Sequence, residues 1–223
     1  MCVRRWDYSD GRFVDAAKHL VTLQGEGLLG EVAACNFDTP HLRTMVEAGV
    51  PIVANQVQYS LLDRRPETAM LAYAKAQGIR LATFGTVAGG LLSDKFLNKP
   101  AHWHPPGFKT VSMRMYRPHL DRWSGGDWNL FQELLRTLRA IADKHTHSDH
   151  VQTIATVASA WVLHQLGPDG GGVIIGVRDD SHLIEHKALR DLVLDAEDAA
   201  KINEVLAKGV APVGDIWSYE RGG

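Results

Sequence analysis

The sequence predicts an α/β protein built on a parallel sheet, and three observations carry that expectation. Short runs rich in Val, Ile and aromatic residues alternate with segments of helical periodicity, Gly and Pro fall at the changes from one to the other, and 223 residues with 45% hydrophobic content are enough to bury one sizeable core. Alternation of this kind needs crossover connections, and those are right-handed in nearly all parallel sheets.

Residues 2–8 read as the first strand. The helix that follows, 12–24, spaces Phe13, Ala16, Ala17, Leu20 and Leu23 along one face. GEVAACN, residues 30–36, is the second strand, and Thr39 and Pro40 are expected as N-cap and first-turn residue of a helix turning Leu42, Met45 and Val46 inward. PIVANQVQY (51–59) gives a third strand, 66–77 a helix stopped by Gly78, and IRLATFG (79–85) a fourth strand. Regularity is then expected to break over 87–126, where Pro100, Pro105, Pro106 and Pro118 interrupt a stretch of aromatic and basic side chains. Two helices, 128–145 and 151–166, flank the polar segment THSDH. The three glycines 170–172 are expected to turn the chain into a fifth strand, VIIGV (173–177), and helices 179–189 and 196–207 precede a tail with Trp217 and Tyr219.

Composition excludes several functions. The 24 Lys plus Arg nearly balance 26 Asp plus Glu, so no net field draws nucleic acid or an anionic membrane surface. Two cysteines are too few for a disulfide framework, and neither a secretory segment nor an apolar run of membrane-spanning length is present, so the expected compartment is the cytoplasm. Cys35 reads as a small buried thiol, since no Cys-His signature surrounds it. His145, His147 and His150 are spaced closely enough to suggest zinc, but they lie in a polar linker without cysteines, and no metal is expected.

Four segments together resemble the aldo-keto reductase family: CNFDTPHL (35–42), NQVQYSLLDRR (55–65), FGTVAGGLLSDKFL (84–97) and VIIGVR (173–178). The resemblance runs in unbroken order from about Trp6 to Glu220. Such reductases are (β/α)8 TIM barrels that bind NADP, and this chain is similar to the part from the fourth strand onward. The resemblance therefore implies a single, partial TIM-barrel-like domain over 1–223 that lacks about the first three β/α units.

The same resemblance bears on chemistry. The family's catalytic Tyr, Asp and Lys come from the first three strand regions and have no counterpart in this sequence. WDYSD (6–10) fixes the alignment of the next strand and places Arg4 where the family has a His. A guanidinium donates hydrogen bonds but shuttles no proton near neutral pH. On the cofactor side, Asn36 and Gln56 match the residues that bond the nicotinamide carboxamide, with Cys35 in place of a Ser, and Phe84 matches the ring that stacks on the nicotinamide. Gly85, Val87 and Gly89 fall in the loop that approaches the pyrophosphate, Arg178 in the zone of the adenosine 2′-phosphate, and Glu185 at an adenine contact followed by His186 instead of the usual Asn.

Arg4, Asp7 and Tyr8, at the mouth of the first strand, are the candidate catalytic residues, although Asp7 and Tyr8 read more readily as groups that shape the loop and cap the next helix. Trp103, His104 and Tyr116 in the long loop are candidates for the wall of a substrate pocket, or for filling space that a missing strand would leave. The expectation is a non-redox enzyme that cyclises, isomerises or dehydrates a small organic substrate and requires no cofactor, although NADP remains a candidate ligand. An NADP-dependent carbonyl oxidoreductase is the alternative, and a non-catalytic binding or scaffolding subunit a third. Open strand edges imply a homodimer.

Overall fold

The structure, a computed structural model, describes residues 2–4, 8, 10–102, 111–147, 151–177 and 179–221, and for residues 2–4, 181 and 221 the backbone alone. Five parallel strands stand in sequence order: β1 (Cys2–Arg4), β2 (Val32–Cys35), β3 (Ile52–Gln58), β4 (Arg80–Phe84) and β5 (Gly171–Val173). Between and after them run α1 (Phe13–Gly25), α2 (Thr39–Glu47), α3 (Met70–Gln77), α4 (Val111–Ser124), α5 (Trp128–Lys144), α6 (Ile154–Leu166), α7 (Asp180–Asp191) and α8 (Ala196–Leu206). Among the described residues no helix is long and apolar enough to cross a membrane.

Register separates the two faces of the sheet. Ala34, Asn55 and Leu81 are paired across β2, β3 and β4, and with Val57 and Thr83 they are fully buried beneath helices. On the other face Cys35, Gln56, Ala82 and Gly172 are paired in turn, and all but Cys35 remain half-buried. The helix-covered face shares one apolar cluster with α1, α2 and α3, through Phe13, Leu42, Met45 and Met70. A second cluster gathers α4, α5, α6 and α8 around Trp161, Phe131, Leu134 and Ile202.

Several local expectations are corrected. The first strand ends at Arg4, and Tyr8 lies in a turn. Asp38, not Thr39, caps α2: its carboxylate accepts the His41 backbone N–H, and Pro40 takes the first turn. The helix expected from residue 66 begins as a 3-10 turn, Arg65–Glu67, before α3 proper. The long irregular stretch contains a full helix, α4, which accommodates Pro118 in its interior. The last strand starts two residues early: Gly171 has φ +133°, and a Cβ there would lie 2.0 Å from the Leu81 carbonyl oxygen, so a glycine read as a turn is the residue that lets β5 approach β4. His145 extends past α5 to Asp198 at 2.6 Å, and Lys144 reaches Asp195 and Asp198 at 2.7 and 2.8 Å. These carboxylates, at the capped start of α8, are thus already answered by a cation.

The tail folds back over the loops that follow β2 and β3. Asp215 accepts the Thr39 backbone N–H at 2.9 Å, Thr68 donates its hydroxyl to the Gly214 carbonyl at 3.0 Å, and Ile216 is buried. The anchor is ionic. Arg65, 2% exposed, grips Asp63 through Nε and Nη2 at 2.8 and 2.7 Å and Glu220 through Nη1 and Nη2 at 2.8 and 3.0 Å. The Arg65 and Arg122 guanidinium carbons stand 4.3 and 4.2 Å from the Tyr219 ring centre. His119 of α4 joins through Gln58, whose amide donates to Asp63 at 2.7 Å and to His119 Nε2 at 2.9 Å. The imidazole proton therefore sits on Nδ1, which is buried and, among the described residues, has no hydrogen-bond partner.

Burial holds His119 below its ordinary pKa despite Asp63 and Glu220. Burial also pushes the Glu220 carboxyl up, but the Arg65 hydrogen bonds and charge outweigh it and hold it below the usual carboxylate range. Both groups are therefore lowered on folding, and both contribute stability that is present above the unfolded value and lost as pH falls. In urea titrations the midpoint should decline first below the ordinary histidine value of 6.5 and again below the ordinary glutamate value of 4.5. His119→Gln should remove the upper stage, and its persistence in that variant would assign the decline to another group. Arg65→Met, which leaves two carboxylates without their cation, should cost about 3–5 kcal/mol.

Candidate functional site at the strand mouths

Asn36 directly follows β2, Gln56 lies near the C-terminal end of β3, and Phe84 is the last residue of β4. Arg4 pairs in register with Cys35 and Cys35 with Gln56, so their backbones form one row across the sheet. The Arg4 side chain and all of Asp7, Trp103, His104 and Arg178 lie outside the described residues. Tyr8 uses its hydroxyl on backbone: it accepts the Asp38 N–H at 3.0 Å and donates to the Asn36 carbonyl at 3.5 Å, while its ring stacks on His41 with centres 3.5 Å apart. This geometry shapes the loop after β2. Asn36 turns there with φ 59°, a conformation Asn tolerates, and its N–H bonds the Gln56 carbonyl at 2.8 Å. Gln56 and Phe84 are half-buried, and Cys35 is a reduced, buried thiol.

Beside this row lies a cavity of about 600 Å³, between the loop after β4, residues 174–177 after β5, and the faces of α4, α6 and α7. It brings together five of the candidates, Gly85, Val87, Gly89, Tyr116 and Glu185. Asn36, Gln56 and Phe84 are not among its walls. Sequence reasoning missed Lys95, Thr156, Ser159 and His182, and had taken His186 only as a departure from the family pattern. Thr156 with Ser159 and His182 with His186 are spaced by three and four residues on α6 and α7, a helical signal that could have found them.

The loop after β4 is held by its own backbone: Ala88 N–H bonds the Gly85 carbonyl at 2.8 Å and Gly90 N–H the Val87 carbonyl at 3.0 Å. Gly85, Gly89 and Gly90 all have positive φ. Tyr116 descends from α4 onto this loop so closely that a Cβ at Gly85 or Gly89 would meet its ring at 2.6 or 2.7 Å. At Gly90, among the described residues, a Cβ would have only Met113 Cε at 3.8 Å, so the loop has room beside the cavity there. Burial, then the Asp63 charge, raise the Tyr116 pKa, so the phenol keeps its proton. Asp94 is engaged with the Arg139 guanidinium at 2.9 Å and the Ile154 N–H at 3.1 Å, and His182 Nδ1 lies 3.0 Å from Asp179.

These residues fit part of a dinucleotide. The volume lies within the usual range of a ligand pocket, the missing side chain at Gly90 leaves room for a phosphate, and Lys95, His182 and His186 bring cationic or protonatable groups to the same walls.

Comparison with known proteins gives the chain's family and fold. The chain is 24% identical over 201 residues to the aldo-keto reductase YhdN of Bacillus subtilis, covering 90% of this chain and 56% of that protein. It is 32% identical over 111 residues to the putative methylglyoxal reductase DkgA of Salmonella typhi, covering 49% of this chain and 39% of that one. Among solved structures, the glycerol dehydrogenase AKR11B4 from Gluconobacter oxydans superposes with a TM-score of 0.74 at 18% identity, covering 96% of this chain and 60% of that chain. The chain thus spans little more than half the length of the proteins it matches across most of its residues. The sequence model of the Aldo/keto reductase family matches residues 3–207, and the chain belongs to that family.

Proposed function

We infer that the chain is the dinucleotide-binding part of an NADP(H)-dependent carbonyl oxidoreductase, its five strands forming a contiguous portion of the family's eight-stranded barrel. The observation that carries this reading is the cavity between the β4 and β5 loops, walled by the glycine turn and by α7. The matched proteins bear the names of reductases and a dehydrogenase, which favours redox chemistry over the cyclisation, isomerisation or dehydration expected from the lost catalytic residues. It also replaces the expectation that no cofactor is required. By likeness to the methylglyoxal reductase, the substrate class is a small aldehyde or ketone.

In this reading the missing side chain at Gly90 leaves room for the pyrophosphate, Lys95, His182 and His186 answer phosphate charge, and Glu185 contacts the adenosine. Asn36 and Gln56 hold the carboxamide and Phe84 lies against the ring. When bound, the dinucleotide supplies a hydride. The chain's residues hold it and exclude water.

Fluorescence titration of the full chain with NADPH should saturate, with a Kd between about 1 μM and 1 mM. Gly90→Val, which closes the one open stretch of the loop, should weaken binding at least about tenfold, a change of about 1.4 kcal/mol. Absence of saturation up to about 1 mM would refute the reading.

The chain in this account is also a homodimer. Among the described residues β1 pairs only with β2 and β5 only with β4, and Ile174, Val177, Leu183 and Ile184 are exposed near the β5 edge. Light scattering at micromolar concentration should return twice the monomer mass. A monomer mass at every concentration would end this part of the reading.

A further inference from the structure

Just after β2, the backbone of residues 36–39 is held from three other parts of the chain. From β3, the Gln56 carbonyl accepts the Asn36 N–H at 2.8 Å, and the Asn55 side-chain amide donates to the Phe37 carbonyl at 2.9 Å. From the tail, Asp215 accepts the Thr39 N–H at 2.9 Å. The remaining hold is Tyr8, whose hydroxyl accepts the Asp38 N–H at 3.0 Å and donates to the Asn36 carbonyl at 3.5 Å. One hydroxyl thus closes the turn from both sides.

What it closes is a conformation with ready alternatives. Asn36 has φ 59°, in the left-handed region that asparagine tolerates better than most residues, while the extended and right-handed regions stay open to it. The backbone angles of a residue set the direction of its Cα–Cβ bond and the rotamers open to it. A turn that relaxed at Asn36 would therefore re-aim its amide.

Tyr8 is itself fixed by a closed circuit of contacts. Its ring stacks on His41 with centres 3.5 Å apart and planes within 5° of parallel. The His41 Nδ1 and backbone N–H lie 2.6 and 3.0 Å from one carboxylate oxygen of Asp38, and the Asp38 N–H returns to the Tyr8 hydroxyl. The buried rings of Phe13 and Phe37 flank Tyr8, with centres 6.3 and 5.9 Å away. Capping α2 needs only the Asp38 carboxylate and the His41 backbone. The imidazole and the phenol are additions to that cap, and they act on the turn at Asn36.

We propose that Tyr8, seated on His41, is a positioning residue for the nicotinamide end of the cofactor, holding Asn36 in the turn that presents its amide to the carboxamide. The inference rests on the dinucleotide reading above, and in it Tyr8 touches neither cofactor nor substrate. Without the hydroxyl the competent turn becomes one of several, and the apparent Kd rises by the inverse of its population. The adenosine end, held at the cavity between the β4 and β5 loops, does not depend on this turn.

The test is calorimetry on the full chain and on Tyr8→Phe, which keeps the ring that stacks on His41. Two ligands are compared: NADPH, and adenosine 2′,5′-bisphosphate, which has the adenosine end and no nicotinamide. The expected result in Tyr8→Phe is an NADPH Kd raised at least about fivefold, the scale of one hydrogen bond, with the bisphosphate Kd within about twofold of the parent. His41→Ala, which removes the seat of the ring, should show the same split. An NADPH rise of less than about fivefold in Tyr8→Phe would overturn the proposal and leave the dinucleotide reading standing. A comparable loss for both ligands in either variant would also overturn it, since the circuit would then serve the fold alone. Absence of NADPH binding by the parent would overturn the reading and this inference together.

Discussion

A guanidinium that cannot lose its charge has been taken almost wholly out of water at Arg65, and much of the site's architecture follows from the need to pair it. Asp63, two residues earlier, supplies one carboxylate, and Glu220, at the far end of the chain, supplies the other. The pairing brings the tail across the mouths of β2 and β3 and places Tyr219 between two guanidiniums. Gln58 and His119 extend the network to α4, and through α4 it reaches Tyr116 and the cavity. A buried ion pair of this kind is weak evidence for net stability, since an apolar replacement of the whole cluster can be as stable. Its effect here is geometric: it fixes which segments lie over the strand ends.

A second constraint acts through glycine. Gly171 lets β5 lie against Leu81 so tightly that no side chain fits, and this sets the separation of the β4 and β5 loops that bound the cavity. Gly85 and Gly89 make room for Tyr116, while Gly90 stays open. One glycine-rich turn thus does two different things. Two of its residues seat an aromatic wall, and the third, without a side chain, leaves room beside the cavity.

The α/β alternation was legible in the sequence because the periodicities of 2 and 3.6 are local, and most helices and strands lie within a few residues of where the pattern places them. The glycine loop and Glu185 were legible through their likeness to the family, and they do meet at one cavity. What was not legible has physical causes. α4 was hidden because Pro118 reads as a breaker, yet packing through Met113 and Tyr116 before it and Leu120 and Trp123 after it holds the helix. The start of β5 was hidden because a glycine that permits close strand approach looks the same in sequence as one that makes a turn. The Arg65 cluster joins residues 155 positions apart, which no local pattern reports. Tyr116, read from the sequence as a pocket-wall candidate, does line the cavity.

The central claim is that the cavity between the β4 and β5 loops is where a nicotinamide dinucleotide binds. Backbone amide chemical shifts of the ¹⁵N-labelled chain, followed through an NADPH titration, test it most directly. The account predicts saturable shifts concentrated at Gly85–Gly90, Gly176 and His182–His186, with the amides of α1 and α8 unmoved. Shifts centred on the tail and Arg65 instead, or scattered changes that do not saturate, would contradict it.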